Sequence, residues 1–236
     1  MVDAPLPSDQ TKPETVIIKS VPFFANTQDD THCYQAAIAS VLGHFQPDRS
    51  FTFGELDQMS AKKEGLWTWE SQMGINLIAA GYEVVAIDDF DMPAFIQDGV
   101  GYLRRQYGDE VAEEQAEHSD IEQEQGLMAE YLKVGNHIQR APNIEDIRSF
   151  LKKGYLVICT VNSKSLDGKE GYVGHFVVVY GIDGNCILFH DPGLPPQPNR
   201  SETLEIFNRG WASPSEAIKG LTAFKFQPKV STPDRI

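Results

Sequence analysis

The pattern of apolar and polar positions predicts helices in the first part of the chain and strands in the last part. Residues 14–24 alternate in a way that favours a short strand, and apolar residues at helical spacing predict a helix over 33–45. Residues 51–60 and 68–81 predict two more helices, the second closed by a glycine. A strand is then expected over 82–87.

The last third of the chain is rich in β-type sequence. Residues 143–154 predict one helix, with an asparagine as its N-cap and a glycine at its end. Runs of β-branched and aromatic residues predict strands over 155–161, 174–182, 185–193 and 222–226. A tight turn at Asp183-Gly184 is expected to join the middle two into an antiparallel hairpin. Helices first and antiparallel strands later indicate an α+β fold.

The segment from about 88 to 140 differs from the rest of the chain. It contains a strongly acidic stretch whose sparse apolar residues lie at helical spacing, so we expect a helical insertion, folded as a hairpin against one edge of the fold. A solvated helix pair is favoured over an acidic docking surface, and a lid over a cleft is a further alternative. Residues 1–13 are polar and proline-rich and are expected to form a disordered leader, which leaves 14–236 as a single domain.

Composition narrows the function classes. The 236-residue chain has a net charge of −14 at pH 7, which argues against a general binder of nucleic acid or of anionic membranes. No apolar run reaches the roughly 18 residues of a transmembrane helix. Three widely spaced cysteines predict free thiols and therefore a reducing, cytoplasmic location.

Cys33 is the first candidate for chemistry. A thiol in the first turn of a helix lies at the positive end of the helix dipole, close to free N–H groups that favour a thiolate and stabilise an oxyanion. The helix alone favours a simpler interpretation, a buried core cysteine, and this is what we expect of Cys159 and Cys186.

A nucleophilic cysteine needs a base, and the best-placed histidines lie in the predicted hairpin. His175 begins its first strand, and His190 and Asp191 end its second. Because side chains alternate along a strand, His175 and Asp191 share a face only if the loop has an odd length or a bulge intervenes. A strict two-residue turn would place His175 opposite Pro192 and point Asp191 away.

Together these residues resemble the C39-like cysteine peptidases of the papain-like clan. The resemblance lies in a cysteine that opens an alanine-rich helix, a later "GHFVVV" strand and a strand that ends in "HDPG", and it covers roughly residues 23–193. It implies a papain-like fold, with N-terminal helices on an antiparallel sheet, and cleavage of an amide or peptide bond through a thioester. The implied roles are nucleophile for Cys33, general base and acid for His175, orienting residue for Asp191 and oxyanion donor for Gln28.

Some features depart from the family's pattern. Tyr34 follows the nucleophile where glycine is common, and its bulk would narrow the substrate cleft. Gln28 lies five residues before Cys33 rather than six, so Asn26 or backbone N–H groups are alternative oxyanion donors. The acidic insertion has no counterpart in the minimal fold, and no GxxxxGK[ST] nucleotide-binding motif occurs.

Several alternatives stay open. The same fold and thiol would suit an acyltransferase or an amide-forming enzyme, and a non-catalytic module would bind a basic partner through the insertion. A guanylyl-cyclase-like activity is a distant third. Zinc at Cys33 and the hairpin residues is disfavoured, because the adjacent His190 and Asp191 point to opposite faces. Trp67 and Trp69 either line a substrate groove or seal a core edge. We expect no cofactor, and the expected partner is a peptide or another amide-containing substrate.

Overall fold

A single mixed sheet organises the computed structural model, which describes residues 14–227. The predicted leader, 1–13, lies outside the described residues, as do residues 228–236. The strands are β1 (Val16–Ile17), β2 (Tyr82–Asp88), β3 (Asn136–Gln139), β4 (Leu156–Asn162), β5 (Gly174–Asp183), β6 (Cys186–Asp191), β7 (Gln197–Thr203) and β8 (Gly220–Phe226).

Helices cover both faces of this sheet and one of its edges. Those within residues 14–227 are α1 (Cys33–Phe45), α2 (Phe53–Ser60), α3 (Ser71–Ala79), α4 (Met92–Tyr107), α5 (Asp109–His118), α6 (Ile121–Tyr131), α7 (Ile144–Lys152), α8 (Ser163–Leu166) and α9 (Leu204–Trp211), with a 3-10 turn at Glu216–Ile218. The predicted helix over 33–45 is confirmed at both ends.

The strand order is β3-β2-β8-β4-β5-β6-β7, and β1 pairs with the end of β5. The ladders are antiparallel apart from the one between β2 and β3, which is parallel. The expectation of an antiparallel sheet is therefore wrong at this edge. The helices α4, α5 and α6 form the long crossover that a parallel pair requires.

Alternation along the central strands divides the core between the two faces of the sheet. On β4, Val157 and Cys159 pack in the cluster that contains α7 and α9, whereas Leu156 and Ile158 pack in the cluster that contains α1. The α1 side also receives α2 and α3. The mixed helical and strand architecture confirms the α+β class.

The segment predicted as an insertion contains three helices and strand β3, not a two-helix hairpin. Apolar residues of α4, α5 and α6 form a third cluster, against which Trp69 packs. Helix α4 is interrupted at Gly99, whose φ of 43° breaks the helical path. The helices thus share a core of their own, which also contacts α3, and are not a solvated pair.

The least predictable elements lie near the C-terminus. Strand β7 is polar and contains Pro198, so it lacks the alternation that identified the other strands. It pairs with β6 and leads directly into α9, whose Phe207 and Trp211 are fully buried. The strand predicted over 14–24 is much shorter in the structure, where only Val16 and Ile17 are paired.

Candidate active site

Cys33 is the first residue of α1 and is half-buried. The N-cap residue, His32, forms no side-chain capping bond with the helix. Within the described residues, the first-turn N–H groups beside the sulfur are therefore not occupied by a cap. These N–H groups are free to donate hydrogen bonds to an oxyanion beside the sulfur.

A β-bulge in the hairpin determines where Asp191 points. The turn residues are Gly184 and Asn185, because Asp183 pairs with Cys186, so the turn predicted at Asp183-Gly184 is displaced by one residue. The turn has two residues, but the register shifts by one between Val179 and Gly181. With the two-residue turn alone, Asp191 would point to the face opposite to His175. The extra residue on β5 shifts the pairing by one, so Asp191 and His175 lie on the same face.

His175 and Asp191 form a buried hydrogen-bonded pair. The distance from His175 Nε2 to Asp191 Oδ1 is 2.8 Å, and the two residues are 6% and 5% exposed. Burial lowers the pKa of His175, but the hydrogen bond with Asp191 and the interaction with Cys33 outweigh it and raise this pKa to about 10. Burial alone would raise the pKa of Asp191, yet the hydrogen bond from His175 holds it below its usual value.

The same interactions assign roles to the two ring nitrogens of His175. Nε2 is bonded to Asp191, so Nδ1 is the nitrogen left for a proton of the Cys33 thiol. The thiol lies close enough to the ring to raise the pKa of His175. Three residues from separate parts of the sequence, Cys33, His175 and Asp191, are thus brought together in the predicted order of interaction.

Arg200, on β7, is a site residue that the sequence reasoning missed. Its Nη1 donates to Asp191 Oδ2 at 2.9 Å, and the same side chain contacts Asp167 and Glu202. Gly193 N donates to Asp191 Oδ1 at 3.0 Å. Both carboxylate oxygens of Asp191 are therefore held. The polar sequence of β7 gave no signal that the side chain of its one arginine would be largely removed from solvent.

Asn26 connects the loop before α1 to the end of the hairpin by hydrogen bonds. Its backbone N–H donates to the carbonyl of Pro192 at 2.8 Å, and its side-chain oxygen accepts from the backbone N–H of Thr27 and of His32. The side-chain nitrogen donates to Asp30 at 2.7 Å. The Asn26 amide is therefore committed to the loop, which holds Cys33 beside the hairpin.

Gln28 lies in an exposed turn of this loop, between Thr27 and Asp30. Among the described residues, its side chain forms no hydrogen bond with the triad. Its role as an oxyanion donor stays a prediction, and the N–H groups at the start of α1 are the donors already in place.

The other candidate residues have local structural partners. His190 Nε2 donates to the carbonyl of Val21 at 3.0 Å while its Nδ1 accepts from Asn199 N at 3.1 Å, and burial lowers its pKa. Cys159 is fully buried, which raises its thiol pKa, whereas Cys186 is half-buried. Within 14–227 no group of three or more histidine, cysteine, aspartate or glutamate side chains is arranged to hold a metal ion.

A partly enclosed cavity of about 200 Å³ adjoins Cys33. Tyr34 lines it, because the side chain next to the nucleophile turns inward against Phe176, with 4.8 Å between ring centroids. Trp67 and Trp69 line it as well, so both tryptophans contribute to a cavity wall. Trp69 also packs into the core, stacked on Phe95 at 5.0 Å.

Comparison with known proteins adds no family assignment: no protein-family model matches the chain, and no curated protein shows significant similarity to it. A search of the helices in residues 14–227 finds none with the length and hydropathy needed to cross a bilayer. The site must therefore be interpreted from its own geometry.

Proposed function

We propose that the chain is a papain-like cysteine hydrolase that cleaves an amide or peptide bond with a Cys33–His175–Asp191 triad. The observation that carries this proposal is the buried His175–Asp191 hydrogen bond at 2.8 Å, with the thiol of Cys33 close enough to affect the same imidazole. If Cys33 were only a core residue, it would not need a histidine base. If His175 had only a structural role, it would not need a thiol beside it.

The proposed reaction begins when His175 takes the thiol proton and Cys33 Sγ attacks the carbonyl carbon of the substrate. The oxygen becomes an oxyanion, which the first-turn N–H groups of α1 stabilise. His175 then gives its proton to the leaving amine, the C–N bond breaks, and a thioester with Cys33 remains. Water, activated by His175, attacks the thioester and releases the acid and the thiol. Asp191 keeps the imidazole oriented throughout.

Selective alkylation tests this proposal. Iodoacetamide, followed by mass spectrometry of peptides, should modify Cys33 at least about tenfold faster than Cys159 or Cys186, since a histidine-paired thiolate is the nucleophile. His175→Ala should remove most of the difference. His44→Ala, which changes a histidine at the far end of α1, is the matched control and should preserve it. Equal, slow labelling of all three cysteines would refute the proposed chemistry.

Acyl transfer is the second candidate, favoured by the mainly apolar cavity next to Cys33, which limits access of water to a thioester. Chromatography of the products formed from a model ester with and without an added amine separates the two reactions. Amide formation in preference to the free acid would identify a transferase. A non-catalytic binding module would give neither product and no selective labelling of Cys33.

A further inference from the structure

The cavity beside Cys33 contains acidic groups that the proposed chemistry does not use. It lies between the sheet and helices α3, α4 and α6, and its walls are mainly apolar side chains such as Trp69, Phe90 and Phe176. Cavities of about 150 Å³ already hold benzene, and this one measures about 200 Å³. The space therefore fits a group of the size of one side chain, extending from a carbonyl carbon held at Cys33.

Three residues with carboxyl groups, Glu70, Asp88 and Glu124, line this cavity, and Asp88 is paired with His137 at 2.7 Å. Glu70 is the N-cap residue of α3, yet its side chain forms no bond with that helix, and its Oε1 accepts from the Thr222 hydroxyl at 2.9 Å instead. Glu124 is 5% exposed and accepts from the hydroxyl of Ser71. Glu70 is half-buried and Glu124 is buried, and both lie beside mainly apolar walls, where an ionised carboxylate is unfavourable without a cation.

Tyr34 adds an unpaired hydroxyl to the same cavity. Its side chain is 1% exposed, and within the described part of the chain its Oη has no hydrogen-bond partner. Burial raises the pKa of Tyr34, and the nearby charges of Glu70 and Glu124 raise it further, so the three groups are neighbours. A buried hydroxyl without a partner is uncommon in proteins. We therefore expect a bound ligand to supply the missing hydrogen bond.

Glu70 and Glu124 have no cationic partner in the described part of the chain. Among residues 14–227, no basic side chain forms an ion pair with Glu70 or Glu124. Lys219 lines the same cavity, but its Nζ lies 2.5 Å from the Glu216 carboxylate and over the ring of Trp211. Acceptors without a counter-charge repel an anionic ligand and attract one that is cationic and rich in N–H donors.

We propose that this cavity is the specificity pocket of the Cys33 site and that it binds a primary ammonium group at the end of a short alkyl arm of the substrate. The assignment as a specificity pocket rests on the proposed function, whereas binding of the ammonium does not require the thiol. The three hydrogens of an ammonium match Tyr34 and the two carboxyl groups. The aromatic walls also attract a cation. A neutral or anionic arm of the same length lacks these interactions.

Calorimetry on the full-length Cys33→Ala protein tests the binding without any chemistry. n-Hexylamine should bind at least about tenfold more tightly than n-hexanol and hexanoate, a difference that an added charge–charge hydrogen bond readily produces. Equal binding of the three probes would overturn the proposal, and tighter binding of n-hexylguanidine would overturn the choice of an ammonium.

Variants locate the site within the protein. In the Cys33→Ala background, Glu70→Gln and Tyr34→Phe should each weaken n-hexylamine binding by about tenfold, since each removes one interaction with the ammonium. Glu130→Gln is the control, because Glu130 lies on the same helix as Glu124 but is paired with Lys133 in solvent. Circular dichroism must show that each variant is folded. Unchanged affinity in folded Glu70→Gln would contradict the assignment.

A protection experiment on the unmodified chain separates the pocket from the proposed chemistry. n-Hexylamine should slow the alkylation of Cys33 by iodoacetamide and leave that of Cys186 unchanged. Binding without protection would place the ammonium away from the thiol and overturn the specificity pocket. If n-hexylamine binds but Cys33 is not selectively reactive, the proposed function fails alone. If Cys33 is selectively reactive but n-hexylamine does not bind, the pocket fails alone.

Discussion

At the scale of single residues, Asp191 is the link between the candidate base and the rest of the fold. One carboxylate oxygen accepts from His175 and from Gly193 N, and the other accepts from Arg200. Such a buried carboxylate needs all of these donors, because an ion removed from water must recover its solvation from the protein. The residue therefore orients the imidazole and depends on β7 to be held in place itself.

Replacement of Asp191 should lower the pKa of His175 from about 10, because both Asn and Ala remove the negative charge that stabilises the imidazolium. NMR titration of the histidine Cε1–H signals measures this change. Asp191→Ala should also reduce the free energy of unfolding by roughly 3 kcal/mol, whereas Asp191→Asn keeps a hydrogen bond to the ring and should cost less. Asp183→Asn, at the exposed turn end of the hairpin, is the control.

The sign of the pH dependence follows from the raised pKa. A histidine that is protonated more readily in the folded state stabilises the fold below its ordinary pKa of 6.5, and this stabilisation is lost as the pH rises through about 10. The difference in stability between the parent protein and Asp191→Ala should therefore be largest in acid to neutral solution. A His175 titration unaffected by either substitution would contradict the pairing.

At the scale of elements, the spacing of apolar residues predicted the helices and strands that bury one face or both faces. Helix α1 and the strands β4 and β5 lie within one residue of their predicted bounds. Strand β7 was missed because it is a largely exposed edge strand of polar residues, so it shows no alternation of apolar and polar positions even though Arg200 is paired with Asp191 and Glu202. The bulge at Tyr180, on which the contact between His175 and Asp191 depends, is followed directly by Gly181, and a lone glycine inside a strand was the one sequence signal for it.

The contact between α3 and α6 depends on a close approach at a glycine. A Cβ at Gly74 would lie 2.8 Å from Cε2 of Tyr131, so Gly74→Ala should displace that ring and destabilise the protein by roughly 1 to 3 kcal/mol. Gly126→Ala is the matched control on α6, since nothing lies within 4 Å of a Cβ there. It should stabilise the helix by roughly 0.5 to 1 kcal/mol. Urea unfolding measures both, and equal effects would show that the α3–α6 contact is loose.

At the scale of the whole molecule, the site combines parts that the sequence keeps far apart. The triad could be predicted because cysteine, histidine and aspartate each carry a chemical signal of their own. The acidic pocket could not, because Glu124 belongs to a segment that has the composition of a solvated helix. Only the packing of α6 against α3 and α4 shows that this one acid is buried. Tyr34 appeared as an odd neighbour of the nucleophile, yet it lines the same cavity and carries a buried hydroxyl with no hydrogen-bond partner among the described residues.

The buried acids should make the stability of the whole protein depend on pH in a defined direction. Burial raises the pKa of Glu70 from 4.5 to about 7 and that of Glu124 from 4.5 to about 8. The charge of Glu70 also raises the pKa of Glu124. A carboxyl group with a raised pKa in the folded state binds its proton more tightly there than in the unfolded chain. These two ionisations should therefore lower the free energy of unfolding as the pH rises from 4.5 to about 8, and the loss that continues above about 8 comes from His175.

Glu124→Gln removes this ionisation while it keeps an oxygen that accepts from Ser71. Relative to the parent protein, the variant should gain roughly 3 kcal/mol of unfolding free energy at about pH 9 and almost nothing at about pH 4.5. Glu130→Gln, solvent-exposed on the same helix, should change stability by less than about 0.5 kcal/mol at either pH. Chemical denaturation at the two pH values gives both differences. A gain of equal size at both would mean that Glu124 is neutral throughout, and a loss at about pH 9 would mean that the protein supplies a cation for it after all.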